Sequence, residues 1–364
     1  MQTMPAAHRP APDASPEVAP AGAGVADARG VARGSGSVGG PGLDPGGSRA
    51  DAVVLAEVVR SGFVEGRHRG SLVIIDADGT VTDAHGDTHS PILPRSCAKL
   101  AQATAIATAG VTLPDHLTAL SAASHSGEDF HIAGVREILA TAGLSPDLLR
   151  TPADLPYERE HAHLRAGGEA SPLLMNCSGK HAAMLVACAV NGWPLDSYLA
   201  PDHPLQLLAR DTLAAGTGEA VAWTAVDGCG APVHAVSLLG LARLFRSSVL
   251  AAPGTPSRRV ADAMRAFPEY VAGDARLDTR LMRAVPGLLT KVGAEAVQVG
   301  ALPDGRAFAV KIEDGAQRAV RPVLGAVLGR LGVADGAVAE ICRVPLLGGG
   351  VPVGEVRAAS WLHG

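Results

Sequence analysis

The apolar stretch Ser71-Leu-Val-Ile-Ile-Asp76, with the turn Asp76-Ala-Asp-Gly79 at its end, sets the fold of this chain. Its β-branched residues predict a buried strand. The Asp-Gly pair predicts a tight turn from which residues 80–83 return as the second arm of a hairpin. Residues 52–59 form another β-rich run just before it. The folded part of the chain is therefore predicted to begin with β-structure.

Helical patterns fill the middle of the chain, and strand patterns return near its end. Residues 296–302 and 306–312 are predicted strands, separated by the turn Pro303-Asp-Gly305. Pairing the early strands with these late strands would give one antiparallel sheet with a helical insertion packed on it. We therefore predict an α+β fold: an antiparallel sheet flanked by helices, a helical lobe, and a terminal helix. The predicted helices span residues 96–109, 113–122, 129–142, 180–190, 205–215, 236–250, 258–271, 277–285 and 316–331.

The composition changes sharply near residue 48. Residues 1–48 are rich in Pro, Gly and Ala with almost no large apolar side chains, so they are predicted to be a disordered tail. The length that remains would allow two domains. Because no linker interrupts residues 52–332, we predict that residues 49–364 form a single catalytic domain with an α/β lobe and an α-helical lobe.

Charge and hydropathy exclude several classes of protein. The net charge of −5 argues against a nucleic-acid partner, which a basic patch would mark. No apolar run approaches the ~18 residues of a membrane span, and no secretory signal is visible. Five cysteines in 364 residues are too few for a disulfide scaffold and fit a reducing compartment. We therefore expect a cytoplasmic protein without a membrane partner.

Lysine is rare in this chain. Only Lys99, Lys180, Lys291 and Lys311 occur among 31 lysine and arginine residues. An arginine supplies a positive charge, but its pKa stays above about 12, so it cannot lose a proton or bind a metal as a neutral amine. A lysine that is retained in a chain so dominated by arginine therefore indicates a position where an amine is needed.

Two segments of the sequence contain serines that could take part in catalysis. In Pro94-Arg-Ser-Cys-Ala-Lys-Leu100, Ser96 and Lys99 share a helix face, and a shielded lysine there can act as a base toward the serine hydroxyl. Ser124-His-Ser126 lies in a polar loop between two predicted helices and can supply a second hydroxyl. The alternatives are a solvated lysine near a helix start and simple capping of the next helix.

Two other segments carry cysteines beside glycines. Cys177-Ser-Gly-Lys180 enters an apolar helix, and Cys229 lies in Asp227-Gly-Cys-Gly. The first resembles the end of a phosphate-binding loop, but Leu174 and His181 stand where that motif needs Gly and Ser or Thr, so nucleotide binding is excluded. The two thiols suggest a soft metal site such as zinc, completed by other ligands. The spacing alone also fits two unligated thiols.

The last two lysines lie in or beside late strands. Lys291-Val-Gly-Ala294 precedes the strand at residues 296–302, and a Lys-x-Gly beside a Ser-Lys site is similar to the third motif of penicillin-binding enzymes. That motif has Ser or Thr in the middle, where this chain has Val292. Lys311 alternates on a strand and is predicted to be solvated.

Together these segments resemble the L-asparaginase II family, of the Ser-Lys, zinc-containing type. The resemblance covers residues 52–321 and rests on six segments in the family's order; each is weak alone, but the ordered set is specific. They are Arg-Ser-x-x-Lys (95–99), Ser-His-Ser (124–126), Cys-Ser-Gly-Lys-His (177–181), Asp-Gly-Cys (227–229), Lys-x-Gly-Ala (291–294) and Val-Lys-Ile-Glu-Asp-Gly (310–315).

The resemblance implies a fold and an activity. The fold would be that of serine β-lactamases, penicillin-binding proteins and serine glutaminases, in agreement with the predicted order of strands and helices. The activity would be hydrolysis of L-asparagine to L-aspartate and ammonia. Ser96 would be the nucleophile with Lys99 as its base, and Ser124 with Lys291 would form a second Ser-Lys pair. The family also suggests a homodimer.

The same resemblance implies a zinc site and contacts to the substrate. A water would complete the coordination of Zn²⁺, and the metal is expected to hold or orient the substrate. The implied zinc ligands are Cys177, Lys180 and Cys229. The residues expected to bind substrate are Arg95, Asp227 and His181.

Two other interpretations compete with an asparaginase. One is another Ser-Lys amidohydrolase, either a serine glutaminase or a penicillin-interacting enzyme; Val292 and the lack of a visible signal count against the latter. The other is a non-enzymatic metal-binding protein that uses only Cys177 and Cys229. Ammonia release from asparagine and glutamine, with and without Ser96, would separate these interpretations.

Overall fold

The computed structural model describes residues 51–363, so the predicted disordered tail at residues 1–48 lies outside the described residues. The first hairpin turns at Ser61-Gly62, where both residues have positive φ, 49° and 82°. The strands of the described range are β1 (Val53–Arg60), β2 (Phe63–Ile75), β3 (Val81–His85), β4 (Trp223–Val226), β5 (Pro232–Ala235), β6 (Leu289–Gly293), β7 (Val297–Ala301), β8 (Ala307–Ile312), β9 (Val344–Gly348) and β10 (Val351–Ala358).

Early and late strands meet in one antiparallel sheet. Its order is β6-β7-β8-β2-β1-β10-β9, with β3 paired to β2. Leu72 of β2 lies opposite Val310 of β8, and Val58 of β1 lies opposite Val356 of β10. The predicted pairing of distant strands is therefore confirmed. β4 and β5 form a separate two-stranded hairpin.

Helices cover the sheet and build the lobe beside it. The helices of the described range are α1 (Lys99–Thr108), α2 (Asp115–Ser121), α3 (Asp129–Ala140), α4 (Glu160–Arg165), α5 (Ser178–Asn191), α6 (Pro204–Thr217), α7 (Leu238–Leu250), α8 (Pro256–Ala266), α9 (Pro268–Val271), α10 (Leu277–Ala284), α11 (Val320–Arg330) and α12 (Gly336–Cys342). The α+β class, an antiparallel sheet flanked by helices with a helical lobe, is confirmed.

Two predicted elements differ from the structure. The helix predicted at residues 258–271 is divided into α8 and α9 at Pro268, because proline lacks the N–H that a continuous helix needs there. The prediction of a terminal helix is wrong: after α11 the chain forms α12 and then the hairpin of β9 and β10, which turns at Gly349-Gly350 and extends the sheet beside β1.

Successive side chains of β2 point to opposite faces of the sheet and therefore lie in two separate cores. Val73 and Ile75 pack with the apolar face of α7, whereas Leu72 and Ile74 pack with α11 on the opposite face. A strand buried on both faces has no polar alternation, which explains the continuous apolar run in the sequence. A third core joins α2, α3 and α5 and forms the helical lobe.

None of the helices within residues 51–363 is both long and apolar enough to cross a membrane. The five cysteines are all free and buried.

Candidate active site

The first serine lies in a tight turn that leads into α1. Arg95–Ala98 forms a 3-10 helix, and α1 begins at Lys99, so the predicted helix starts with one tighter turn. Arg95 has a φ of 51°, an unusual value for a residue with a side chain. Ser96 is half-buried, whereas Lys99 is only 1% exposed.

The second serine accepts hydrogen bonds from two buried lysines. Nζ of Lys99 lies 3.0 Å from Oγ of Ser124, and Nζ of Lys291 lies 3.0 Å from the same atom. Lys99 also donates to the carbonyl of Ala123. Within the described residues, the hydrogen bonds of Lys99 therefore go to the Ser124 segment and not to Ser96. Hydrogen bonds therefore bring together three of the four residues predicted to be catalytic, and the fourth, Ser96, lines the same cavity as Ser124.

A buried carboxylate holds Lys291 in place. Oδ2 of Asp278 lies 3.8 Å from Nζ of Lys291, and both side chains are fully buried. The same oxygen accepts from the backbone N–H of Val292, and Oδ1 accepts from the amide of Gln298. The carboxylate therefore connects α10 to the strand that carries Lys291.

Burial lowers the pKa of Lys291 to about 8, and the nearby Lys99 charge acts in the same direction. Asp278 opposes the shift, because its negative charge favours the ammonium form. A lysine with this pKa has a substantial neutral fraction near neutral pH, and the neutral amine can accept a proton from a serine.

The predicted metal ligands also lie together. Nζ of Lys180 lies 3.2 Å from Sγ of Cys229. The neighbouring Cys177 thiol lowers the pKa of Cys229, against burial and together with the Lys180 charge. In turn, Cys229 raises the pKa of Cys177, as burial does. Burial alone would lower the pKa of Lys180, but the two sulfurs outweigh burial and raise it.

His181 lies beside this cluster, next to the predicted ligand Lys180. Its Nδ1 lies 2.8 Å from the hydroxyl of Tyr198, which itself accepts from the backbone N–H of Arg150. When the Tyr198 hydroxyl donates its hydrogen bond to Nδ1, the imidazole proton lies on Nε2. Nε2 is buried with no hydrogen-bond partner among the described residues. In this tautomer His181 is a donor, suited to hydrogen-bond a ligand thiolate.

Two sulfurs and one amine at the base of α5 form a donor set that fits a zinc ion. Within residues 51–363, no group of three or more His, Cys, Asp or Glu side chains is arranged to hold a metal ion. A metal at this point therefore depends on Lys180 as the third protein ligand, in its neutral form.

Arg95 and Asp227, both predicted to bind substrate, are paired with each other. Nε of Arg95 lies 2.7 Å from Oδ1 of Asp227, which also accepts from the N–H of Gly228. The pair connects the turn that carries Ser96 to the loop that carries Cys229. Neither side chain lines the cavity over the serines within the described residues.

A cavity of about 420 Å³ lies over both serines, within the range of small-molecule sites. Asn176 lines it and accepts a hydrogen bond from Cys177, so the cavity adjoins the thiol cluster. Arg276 and Asp278 also line the cavity. No motif in the sequence predicts a role for these three residues. Of the three, only Asn176 carried a signal, as one of two asparagines in the chain.

The remaining polar residues of the predicted segments have structural partners. Nε2 of His125 donates to the hydroxyl of Ser178, and the hydroxyl of Ser126 donates to the carbonyl of Ala272. Lys311 donates to the carbonyl of Glu295, in a turn where Glu295 and Ala296 both have positive φ. Lys311 therefore supports the turn between β6 and β7.

Comparisons with known proteins give one family match. No curated protein sequence matches the chain. Among solved structures, the chain is similar to a Bacillus glutaminase (11% identity, 73% of this chain and 91% of that chain, TM-score 0.35). It is also similar to EstCE1, a hydrolase with promiscuous acyltransferase activity (14%, 75% and 93%, TM-score 0.37), and to Mglu in its tris and glutamate form (14%, 78% and 65%, TM-score 0.33). Likenesses this weak support no argument about activity. The family model described as L-asparaginase II matches residues 56–358, and the chain therefore belongs to the L-asparaginase II family.

Proposed function

We propose that this chain is an L-asparaginase, an amidohydrolase that converts L-asparagine to L-aspartate and ammonia through a Ser-Lys acyl-enzyme. The observation that carries the proposal is the pair of buried lysine amines, each 3.0 Å from the Ser124 hydroxyl beside a cavity that Ser96 also lines. Two lysines that share one serine can exchange a proton through its hydroxyl. Amide hydrolysis requires proton transfer, because the nucleophile loses a proton and the leaving nitrogen gains one.

The residues perform the reaction in two halves. The Ser96 hydroxyl attacks the side-chain amide carbonyl and forms a C–O bond, while its proton passes to the chain Lys99–Ser124–Lys291. The same chain returns a proton to the leaving nitrogen, so that ammonia departs and an acyl-enzyme ester remains. Water then cleaves the ester, which releases L-aspartate and restores the Ser96 hydroxyl.

The test measures ammonia release from L-asparagine and from L-glutamine. We expect turnover of asparagine in the unmodified enzyme and loss of turnover in Ser96→Ala. Ser247→Ala, in which an exposed serine of α7 is replaced, is the matched control and should keep wild-type turnover. Faster hydrolysis of glutamine would favour a serine glutaminase. Covalent labelling by a penicillin without amide hydrolysis would favour a penicillin-interacting enzyme.

Mass spectrometry of trapped enzyme assigns the nucleophile. An acyl group on the peptide that carries Ser96 would support the proposed roles. An acyl group on the peptide that carries Ser124 would reverse them, since both hydroxyls reach the same cavity. Ammonia release retained in both Ser96→Ala and Ser124→Ala would exclude a Ser-Lys mechanism. A wild-type protein that binds zinc but releases no ammonia from either substrate would favour a protein that only binds metal.

We further propose that Cys177, Lys180 and Cys229 hold a zinc ion. When bound, zinc would supply a Lewis-acid centre beside Asn176 that orients the substrate amide. The support is the close approach of the Lys180 amine to the Cys229 sulfur and the sulfur pair itself. Elemental analysis should give about one zinc per chain in the wild type and none in Cys229→Ser. Metal-free, folded enzyme with unchanged kcat and KM would contradict a substrate role for the metal.

A cytoplasmic location and a homodimer complete the proposal. The five free, buried thiols fit a reducing compartment. The homodimer rests on the family alone. Light scattering after size-exclusion chromatography should give twice the 36.8 kDa of one chain, and a monomeric mass would contradict it.

A further inference from the structure

The cavity over the serines is rich in positive charge. Four arginines line it, against two acidic residues, Glu158 and Asp278. The Asp278 carboxylate is already engaged by the N–H of Val292 and the amide of Gln298. The cavity therefore suits an anionic ligand better than a neutral one. The four arginines are Arg276, Arg318, Arg321 and Arg343.

Two of these arginines already have partners of their own. Nε of Arg318 donates to the ring of His68. Arg343 pairs with Glu340 at the protein surface, where its side chain is 59% exposed. Neither is poised to give its guanidinium to a ligand beside the serines.

Arg276 has a buried donor without a partner. Its side chain is only 11% exposed, and Nη1 is buried with no hydrogen-bond partner among the described residues. Its Nε pairs with Glu158 at 3.4 Å, and its guanidinium lies 4.3 Å from the centre of the Tyr157 ring. The ring and the carboxylate hold the guanidinium plane, while one edge remains unsatisfied. A buried N–H is rarely left without an acceptor, so a ligand atom is the natural partner.

Arg276 is also close to the reacting groups. It directly precedes α10, whose second residue, Asp278, lies 3.8 Å from the Lys291 amine. Asparagine carries its carboxylate only a few bonds from its side-chain amide. A substrate whose amide lies at the serines therefore has its carboxylate within the same cavity, which Arg276 also lines.

We propose that Arg276 binds the α-carboxylate of the substrate, so that the enzyme requires an amide that carries a free carboxylate. This inference rests on the proposed amidohydrolase function and deepens it. The planar guanidinium offers two parallel N–H donors to the two carboxylate oxygens, a fit that a lysine cannot reproduce. Tyr157 and Glu158 orient the guanidinium and take no part in the chemistry.

The test compares two substrates in two variants. L-Asparagine carries the carboxylate, whereas 3-aminopropanamide is the same molecule without it. Arg276→Gln should raise KM for asparagine by about ten- to a hundredfold with little change in kcat, the expected loss of a hydrogen-bonded charge pair. It should leave kcat/KM for 3-aminopropanamide unchanged. Arg276→Lys should lie between the wild type and Arg276→Gln.

Arg243→Gln is the matched control, because it removes the same charge from an exposed position on α7 that does not line the cavity. It should leave KM for asparagine near the wild-type value. A selective rise in KM in Arg321→Gln instead of Arg276→Gln would overturn the assignment. Equal kcat/KM for the two substrates in the wild type would overturn it even if the variants failed to fold. A wild-type enzyme that releases no ammonia from asparagine would instead contradict the proposed function itself.

Discussion

Lys99 is almost completely buried, and its amine bonds to the segment that carries Ser124. Its Nζ donates to Ser124 and to the Ala123 carbonyl, with 1% of the residue exposed. Lys99→Arg places a larger group there that cannot accept a proton, so kcat should fall by about a hundred- to ten-thousandfold. Lys311→Arg is the matched control, because Lys311 lies away from the serines and donates to the Glu295 carbonyl, which a guanidinium can also do. Wild-type ammonia release by Lys99→Arg would contradict the prediction.

The protonation state of Lys291 should set the pH dependence of turnover. Its pKa of about 8 predicts that kcat rises as the pH passes through that value, because the neutral amine accepts the proton. The Asp278 charge raises this pKa, so Asp278→Asn should lower it and move the rising limb of the pH profile to lower pH. The plateau should also fall, since Asp278 holds the N–H of Val292. Asp211→Asn, at an exposed site on α6, is the control.

A limb that stays in place or moves to higher pH in Asp278→Asn would exclude Lys291 as the titrating group. The pH profile is the deciding measurement, because a carboxylate with only a structural role would lower the plateau without moving the limb.

The lysines of the site could be predicted from the sequence, because arginine is the common cation here and cannot replace an amine that must lose its proton. Asp278 and Arg276 could not. Each is an ordinary charged residue without a local motif, and its role depends on contacts to distant residues, such as Asp278 to Val292 and Gln298. Only the folded chain brings those partners together.

At the scale of elements, the site depends on the contact between β6 and the turn that carries Ser96. The thiol of Cys97 donates to the Lys291 carbonyl at 3.2 Å. At Gly293 of the same strand, a Cβ would lie 2.7 Å from the carbonyl oxygen of Pro94 and 3.1 Å from the Cys97 sulfur. The missing side chain therefore permits the close approach that places Lys291 beside Ser124.

Gly293→Ala should separate these two elements. A shift on the order of 1 Å at the reacting groups can reduce kcat by about a hundredfold, and overpacking should destabilise the fold by about 1–3 kcal/mol. The control is Gly66→Ala on β2, where the nearest atom to a Cβ is 4.0 Å away. Turnover and thermal unfolding of both variants check the prediction. Full activity in Gly293→Ala would mean that the close contact does not set the geometry.

The helices and strands differ in how well the local sequence predicts them. α3, α5 and α7 were predicted within about two residues, because each carries its own apolar period and caps. The hairpin of β9 and β10 was not predicted. Its strands are half exposed, and the hairpin gains stability because β10 pairs with β1, nearly three hundred residues earlier in the chain. A pattern confined to a short window does not contain that partner.

At the scale of the whole molecule, three distant parts of the chain form one site. Ser96 follows the first hairpin, Ser124 lies in the loop before α3, and Lys291 lies on the edge strand β6. The order of strands and helices was enough to predict the class of the fold. The sequence does not predict on which face of the sheet each of these three segments lies. That placement depends on how α1, α7 and α8 pack on the sheet.

Zinc should also stabilise the whole folded chain, since its proposed ligands join the helical lobe to the loop before β5. Cys177 and Lys180 lie at the start of α5, and Cys229 lies in the turn that leads to β5. Because only the folded chain gathers these ligands, zinc at about a hundred times its Kd should add about 2.7 kcal/mol to the free energy of unfolding. Calorimetry should show a Tm several degrees higher with zinc in the wild type and in Cys342→Ala, whose thiol lies in the core behind α11. The difference should vanish in Cys229→Ser. A zinc-dependent rise in Tm that persists in Cys229→Ser would place the metal elsewhere on the chain.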